Sequence, residues 1–401
     1  MFVKRSDLSR KRSPLPYLYI LVFISLIDHS TIAPVISSYA RTVGASAEIA
    51  GLIAGAYSIA ALLSYPVVGF LLDYLPRARV LLAFYTADII VVSLYLLARD
   101  PAQLLVIRLL HGFFDASIFP SSLALFRDVI HERFGFRFST YWAVAATPIL
   151  VGNIVTRVLV VWLGFHSVFL FVLFLMLLGL YSSYSLNIFQ ARTHPRIPSD
   201  SVEEKISGPS IPLLLFSYLS AFTLYMMIGS VVGSMSSRLL ALYSIPKEVA
   251  AGEIAMWSAI ATLVSIPIIL GVTRYFLEDL QRSFKALILG LFSIIISSLI
   301  LLLNLETLAR YISSVIFGFS LALLLPTTSR IATETPYRFR GRSSAALGAS
   351  YLLGVGIGAP LSSWLLQISE EFNLNFLPPL LSSLIIIIIL MIYTLISKAP
   401  A

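Results

Sequence analysis

Gly112-Phe113-Phe114-Asp115-Ala116-Ser117-Ile118-Phe119-Pro120-Ser121-Ser122 returns 206 residues later as Gly318-Phe319-Ser320-Leu321-Ala322-Leu323-Leu324-Leu325-Pro326-Thr327-Thr328. The two stretches share a Gly-Phe, an alanine, and a proline followed by two hydroxyl residues, all at equal spacing. The same offset carries Asp73 onto Asp279, Asp128 onto Glu334, Gly135 onto Gly341 and Gly152 onto Gly358 without a gap. A residue pattern that repeats at one fixed distance marks a duplicated structural unit.

The unit is hydrophobic. Of 401 residues, 58% are apolar and 12% are charged, about half the charge of an ordinary soluble domain. A membrane-crossing helix needs about 20 mostly apolar residues, and twelve such runs fit: 16–37, 49–72, 80–98, 102–126, 139–163, 165–187, 211–236, 249–273, 284–304, 308–329, 343–366 and 376–397. Lys4, Arg5, Arg10, Lys11 and Arg12 precede an apolar run that is too long for a signal peptide and contains Asp28, so it reads as a retained first span. The longest connector holds Pro195, Pro198, Asp200, Glu203, Glu204 and Lys205 and divides the spans six and six. The expected organisation is a tail at 1–15, a six-helix bundle at 16–187, a linker at 188–210, a second six-helix bundle at 211–397 and a tail at 398–401. This is an all-α membrane protein in which parallel repeats flank a central cavity.

Charge sets the orientation. When connectors are assigned alternately to two sides, 21 lysines and arginines fall on the side of the termini and 5 on the other, while Arg108 and Arg157 lie inside spans. By the positive-inside rule both termini are cytoplasmic, in the plasma membrane. The net charge of +8 is thereby explained by the bilayer rather than by a nucleic acid partner. The absence of cysteine removes disulfides, thiol catalysis and Cys-ligated metals.

The connector after span 2 reads Gly69-Phe70-Leu71-Leu72-Asp73-Tyr74-Leu75-Pro76-Arg77-Ala78-Arg79. It resembles the G-x-x-x-D-[RK]-x-G-[RK]-[RK] signature of the major facilitator superfamily, with Tyr74, Pro76 and Ala78 departing from it. Asp73 is expected to cap a helix end while Arg77 bridges to neighbouring helices or lipid phosphate, and Asp279, with Arg282 and Lys285, is the repeat copy. Span 4 is similar to a second signature of that family through Leu104, Arg108 and Gly112, with His111 where the family has glutamine. The resemblance covers nearly the whole chain. It implies two six-helix halves rocking about a central site, and it associates Arg108 with proton handling. Span 5 has Thr147-Pro148 and Gly152-Asn153 in place of the Gly-Pro run of drug/proton antiporters.

Ionisable groups inside spans cost at least about 2.5 to 3.5 kcal/mol each at mid-depth and ask for partners or a wet cavity. Asp28 lies about 12 residues, or about 18 Å, into span 1, with His29 beside it. Arg108, His111 and Asp115 at i, i+3 and i+7 share one face of span 4. In the fold that the sequence resembles, spans 1 and 4 both line the cavity. A carboxylate beside Arg108 stays ionised until the two separate, then takes up a proton. Asp28, Arg108 and Asp115 are therefore the expected coupling group, with His111 as a relay; the alternative is a static network pinning spans 1 and 4. Asp88 is expected to be peripheral and to pair locally. Arg157 either snorkels to the outer end of span 5 or faces the cavity and attracts an anion. Tyr218, Tyr225 and Tyr311 offer aromatic and hydrogen-bonding contacts from the second half. Pro34, Pro120, Pro326 and Pro360 are expected to kink their helices, Gly112, Gly318 and Gly358 to serve close packing, and Gly51 and Gly55 to form a close-packing face.

No Gly-x-x-x-x-Gly-Lys-[Ser/Thr] loop and no repeated Asp-x-x-Asp diphosphate site occurs, so an enzyme is not expected. Nor is a cofactor or a bound metal, since Asp28, Asp115, His29 and His111 would first have to converge. The expected activity is secondary transport of a small solute by alternating access, with the proton as coupling ion. Export of an amphipathic or cationic compound and uptake of a small organic solute or anion both fit the residues, and the sequence leaves the oligomeric state open, a monomer included.

Overall fold

The computed structural model describes residues 13–130, 133–193, 209–245, 247–303, 305–368 and 373–397. The two tails and most of the linker lie outside them. Among the described residues twelve helices follow in order, α1 (Leu15–Ile32), α2 (Ala47–Tyr74), α3 (Arg77–Leu94), α4 (Pro101–Val129), α5 (Phe134–Leu163), α6 (Phe165–Thr193), α7 (Ile211–Met235), α8 (Glu253–Phe276), α9 (Leu280–Leu303), α10 (Thr307–Thr333), α11 (Tyr337–Ile368) and α12 (Leu377–Ser397), and all but α3 and α12 are both long and apolar enough to cross a membrane by themselves. The 18 residues of α3 hold three charges, Arg77, Arg79 and Asp88. Large apolar side chains remain exposed around the barrel, among them Leu63, Leu97, Ile154, Val161, Leu303 and Leu308. That surface is stable only against lipid. Trp162, at the end of α5, is 79% exposed, where an indole meets the headgroup boundary.

Local sequence starts and stops these helices. Asp100 caps α4 by accepting the Gln103 amide at 2.9 Å, with Pro101 following at the first helical position. Ser210 does the same for α7, ahead of Pro212. Gly164, at φ +79°, ends α5 in a conformation that costs glycine nothing.

The prolines act unequally. At Ala33-Pro34-Val35 the helix of α1 breaks, and it resumes over Ile36–Thr42. In α4 the ladder tightens at Ser117, whose amide bonds to Phe114, because the Pro120 ring crowds the carbonyl one turn earlier. Pro326 and Pro360 instead sit inside unbroken helices. The expected kink appears as a helix break in the first half only.

The duplication read from the sequence is a duplication of packing. A Cβ on Gly112 would meet the Tyr57 backbone within 2.8 Å, and one on Gly318 would meet the Ala261 carbonyl at 2.8 Å. So α4 presses on α2 as α10 presses on α8. Gly152 meets Ser30, and Gly358 meets Met226, pairing α5 with α1 as α11 pairs with α7. Each half has its own apolar core, around Leu21, Tyr85, Val92 and Phe126 in the first and around Met227, Trp257, Leu291 and Phe317 in the second.

The halves join at the end of the molecule that carries the basic connectors. Asp73 accepts the Gly341 amide at 2.8 Å and pairs with the Arg342 guanidinium. Gly341 permits this, since a Cβ there would lie 2.7 Å from the Asp73 carboxylate. Arg77 is fully buried; it pairs with Asp128, donates to the Tyr337 carbonyl at 2.6 Å and lies 3.9 Å from the Tyr337 ring centroid. Asp128 also pairs with Arg340, and Arg127 meets Glu334 at 2.6 Å. Above this zone Tyr57, Ala61 and Tyr65 of α2 form a seam with Ala345, Ala349 and Leu352 of α11. Toward the opposite end, a Cβ added to Gly51 or Gly55 would meet nothing within 4 Å, and neither would one on Gly356 of α11. The Gly-x-x-x-Gly pattern therefore faces open space and is not a packing face. The conformation is closed at the basic end.

Candidate functional site

The buried charges of α1, α3 and α4 form one cluster. His111 sits at its centre, 1% exposed, with Nε2 3.3 Å from Asp28 and 3.8 Å from Asp88. On its other side Nδ1 lies 3.0 Å from the Tyr95 hydroxyl and 3.3 Å from the Arg108 guanidinium. Arg108 stacks over the Tyr57 ring, 4.7 Å from its centroid, and the Tyr57 hydroxyl donates to Asp115. Three carboxylates thus share the cluster with one guanidinium in the membrane interior. One oxygen of Asp28, one of Asp115 and both of Asp88 have no hydrogen-bond partner, an unusual concentration of unsatisfied buried acceptors.

The spacing on α4 did bring Arg108, His111 and Asp115 to one neighbourhood, and Asp28 joins them. The contacts differ from the expected ones. Among the described residues Arg108 makes no ion pair with Asp28 or Asp115; Tyr57 intervenes toward Asp115, and His111 toward Asp28. Asp88, expected to pair locally at the periphery, points into the cluster from the middle of α3 and is wholly buried.

His29 is the accessible edge of the cluster. It is exposed, with its ring 5.1 Å from that of Tyr57. Ile20, nine residues earlier, lines an apolar groove between α1, α5 and α6 with Tyr19, Phe23 and Leu178. Nine residues at about 100° each turn His29 half a revolution from that groove, to the side of α1 on which Tyr57 of α2 lies.

An aromatic floor lies between this cluster and the closed end. Phe119 of α4 meets Tyr351 of α11 at 5.8 Å between centroids, and Tyr351 packs at a tilt against Tyr225 of α7 at 4.5 Å. Tyr225 is therefore at the junction of the halves. Tyr218 is not: its hydroxyl bonds to Ser343 at 2.7 Å, within the second half. Tyr311 sits partly buried near the start of α10, away from the cluster. The side chain of Arg157 lies outside the described residues.

At the closed end, Asp279 caps α9 locally, accepting the Arg282 amide at 2.7 Å and pairing with its side chain at 2.9 Å; it does not cross the halves as Asp73 does. The duplication is thus asymmetric in its contacts. Sequence reasoning assigned no role to Asp128, Glu334, Tyr57 or Tyr95. The first two had a signal, an acidic residue preserved at the repeat offset beside arginines, whereas the tyrosines had none. A cavity of about 680 Å³ opens at this end between Arg133, Phe136, Arg274, Tyr275 and Glu278, at the junction of α5 and α8.

As a donor set, Asp28, Asp88 and His111 lie within 4.8 Å of one another, the convergence that the sequence left open. Their chemistry could hold a cation or protons. Arg108 weighs against the former. A guanidinium only donates, so its contact at Nδ1 leaves the imidazole proton on Nε2, the atom a metal would need.

The sequence matches the profile of the Major Facilitator Superfamily over residues 18–338. It is 25% identical to the multidrug resistance protein MdtG of Rahnella sp. (strain Y9602) over 182 residues, 44% of each chain. It is 27% identical to MdtG of Escherichia fergusonii over 185 residues, 45% of each. The alignments thus span less than half the length of these curated relatives. In fold, the chain resembles the human organic anion transporter MFSD10 (TETRAN), with TM-score 0.72, 13% identity and coverage of 92% and 98% of the two chains. It also resembles a bacterial homologue of the iron transporter ferroportin in an outward-facing state, with TM-score 0.68, 14% identity and coverage of 95% and 99%. With its duplicated six-helix halves and a match that runs through most of both, the chain belongs to the Major Facilitator Superfamily and is a membrane transporter, not an enzyme.

Proposed function

We propose that the protein is a proton-coupled exporter of amphipathic, cationic compounds, with its basic face and both termini in the cytoplasm. The observation that carries this reading is the excess of carboxylate over guanidinium in the membrane interior, Asp28 and Asp115 against Arg108. Unless neutralised, that excess is costly at such depth, and a proton or an organic cation neutralises it alternately. Competition for the same negative charge is the simplest form of antiport. The aromatic floor of Phe119, Tyr225 and Tyr351 suits such a solute, because ring faces attract cations. The multidrug resistance for which the MdtG relatives are named agrees in kind, and the basic face is the cytoplasmic one by charge distribution.

Inside-out membrane vesicles with an acidified lumen test this. Labelled tetraphenylphosphonium should accumulate in vesicles containing the protein and leave when the pH gradient is collapsed. Accumulation that ignores the gradient would leave a facilitator. Gradient-dependent accumulation of an organic anion in its place would reverse the assigned substrate charge.

A further inference from the structure

The cluster contains one carboxylate that the coupling reading does not use. Asp88 is completely buried, and neither of its oxygens accepts a hydrogen bond. The groups around it are Asp28 from α1, Arg108, His111 and Asp115 from α4, Tyr57 from α2, and Tyr85 and Tyr95 from α3 itself. Tyr85 has a buried hydroxyl without a hydrogen-bond partner, Tyr57 is committed to Asp115, and Tyr95 to His111. The polar hydrogen aimed at Asp88 is on His111 Nε2, 3.8 Å away, and that same atom is closer to Asp28, at 3.3 Å. A carboxylate left without donors in a low-dielectric interior takes a proton rather than remain charged.

We propose that Asp28 and Asp88 share a single proton during transport, and that the His111 N–H decides which of them holds it. This rests on the proton-coupled reading above and deepens it. In the conformation described, the Nε2–H is turned to Asp28, and the shared proton sits on Asp88, the carboxylate that no donor reaches. When the imidazole turns to Asp88, the Asp88 O–H bond breaks, an O–H bond forms on Asp28, and the total charge is unchanged. The two acids have unequal access. Asp88 is sealed in the bundle, whereas Asp28 adjoins exposed His29. Asp88 is thus a store and Asp28 the exchange point. His111 is a positioning residue whose tautomer is fixed by Arg108. With the shared proton on Asp88 and Asp115 balanced by Arg108 through Tyr57, one negative charge remains, at Asp28, beside exposed His29, the side from which a cationic solute would dock.

The test separates driven transport from exchange, using the full-length protein in liposomes and labelled tetraphenylphosphonium. Asp88→Asn should abolish accumulation driven by a pH gradient while preserving exchange of labelled for unlabelled cation, which needs no net proton movement; Asp88→Glu should restore accumulation. Driven accumulation that survives in Asp88→Asn would overturn the proposal while leaving the coupling reading intact. Exchange without gradient-driven accumulation in the wild type would sink the coupling reading itself, before any variant is compared. Loss of both activities in Asp88→Asn would make Asp88 structural. Because that variant could also fail to fold, infrared spectra of purified protein give a second measurement. The carbonyl stretch of a protonated carboxylic acid should be present in the wild type and in Asp28→Asn and absent in Asp88→Asn. A wild type without that band, and with calorimetric binding of manganese at the cluster, would replace the proton store with a divalent cation site.

Discussion

Asp128→Asn should open the basic face, and the structure sets the size of the effect. Asp128 takes two guanidiniums, Arg77 from its own half and Arg340 from the other. Arg77 stays beside residue 128 however the halves rock, so that pair contributes to both conformations alike. The Arg340 contact exists only when this end is closed. A buried hydrogen bond to a charged group contributes about 1.5 to 3 kcal/mol, and each 1.4 kcal/mol is about a factor of ten. Losing this one contact should therefore shift the balance between conformations roughly ten- to hundredfold toward opening at the basic end. The chain has no cysteine, so spin labels can be placed without background. Labels at Phe136→Cys and Tyr275→Cys, on exposed positions of α5 and α8 that line the same cavity, should show a longer electron–electron distance in Asp128→Asn than in the wild type. Labels at Leu52→Cys and Ile357→Cys, on the far stretches of α2 and α11, should report a shorter one. Identical distance distributions with and without Asp128 would refute the assignment of this network as a gate.

Gly112→Val should destabilise the first half by about 1 to 3 kcal/mol through overpacking against Tyr57, read as a lower unfolding temperature in detergent. Tyr57→Phe removes the donor to Asp115 and leaves the ring under Arg108; accumulation of cation should fall at least tenfold with little change in thermal stability, and a stability loss without a transport defect would contradict it. Arg310 pairs with Glu253 at 2.6 Å between α10 and α8, remote from the cluster, so Arg310→Gln should lower stability by about 1 to 3 kcal/mol while exchange kinetics at permissive temperature stay as in the wild type.

The parts of this fold that were legible in the sequence are the ones governed by local rules. Span positions follow from hydropathy over about 20 residues. The pairing of α4 with α10 followed from the Gly-Phe and Pro repeats, and the packing of Gly112 and Gly318 on equivalent neighbours gives that repeat its physical cause. Within the site, Arg108, His111 and Asp115 could be grouped because helical periodicity alone puts them on one face. Asp88 could not, since the direction in which α3 faces depends on its packing against α4 and α6 rather than on its own sequence. Tyr57 and Tyr95 were invisible for the same reason, as apolar-looking residues in apolar helices whose hydroxyls find His111 and Asp115 only after folding. Gly51 and Gly55 were misjudged because a small-residue stripe describes one surface and says nothing of what stands opposite.

The central claim is that buried carboxylates couple a proton to a solute. The most direct measurement loads purified protein into liposomes with a pH dye, imposes a pH gradient, and follows the dye as cations, organic anions and sugars are added one at a time, with Asp28→Asn in parallel. Proton flux that appears with an organic cation and vanishes in Asp28→Asn is the predicted result. Solute movement without proton flux, unchanged in the variant, would contradict the account and leave Asp28, Asp88 and His111 as structural members of the bundle.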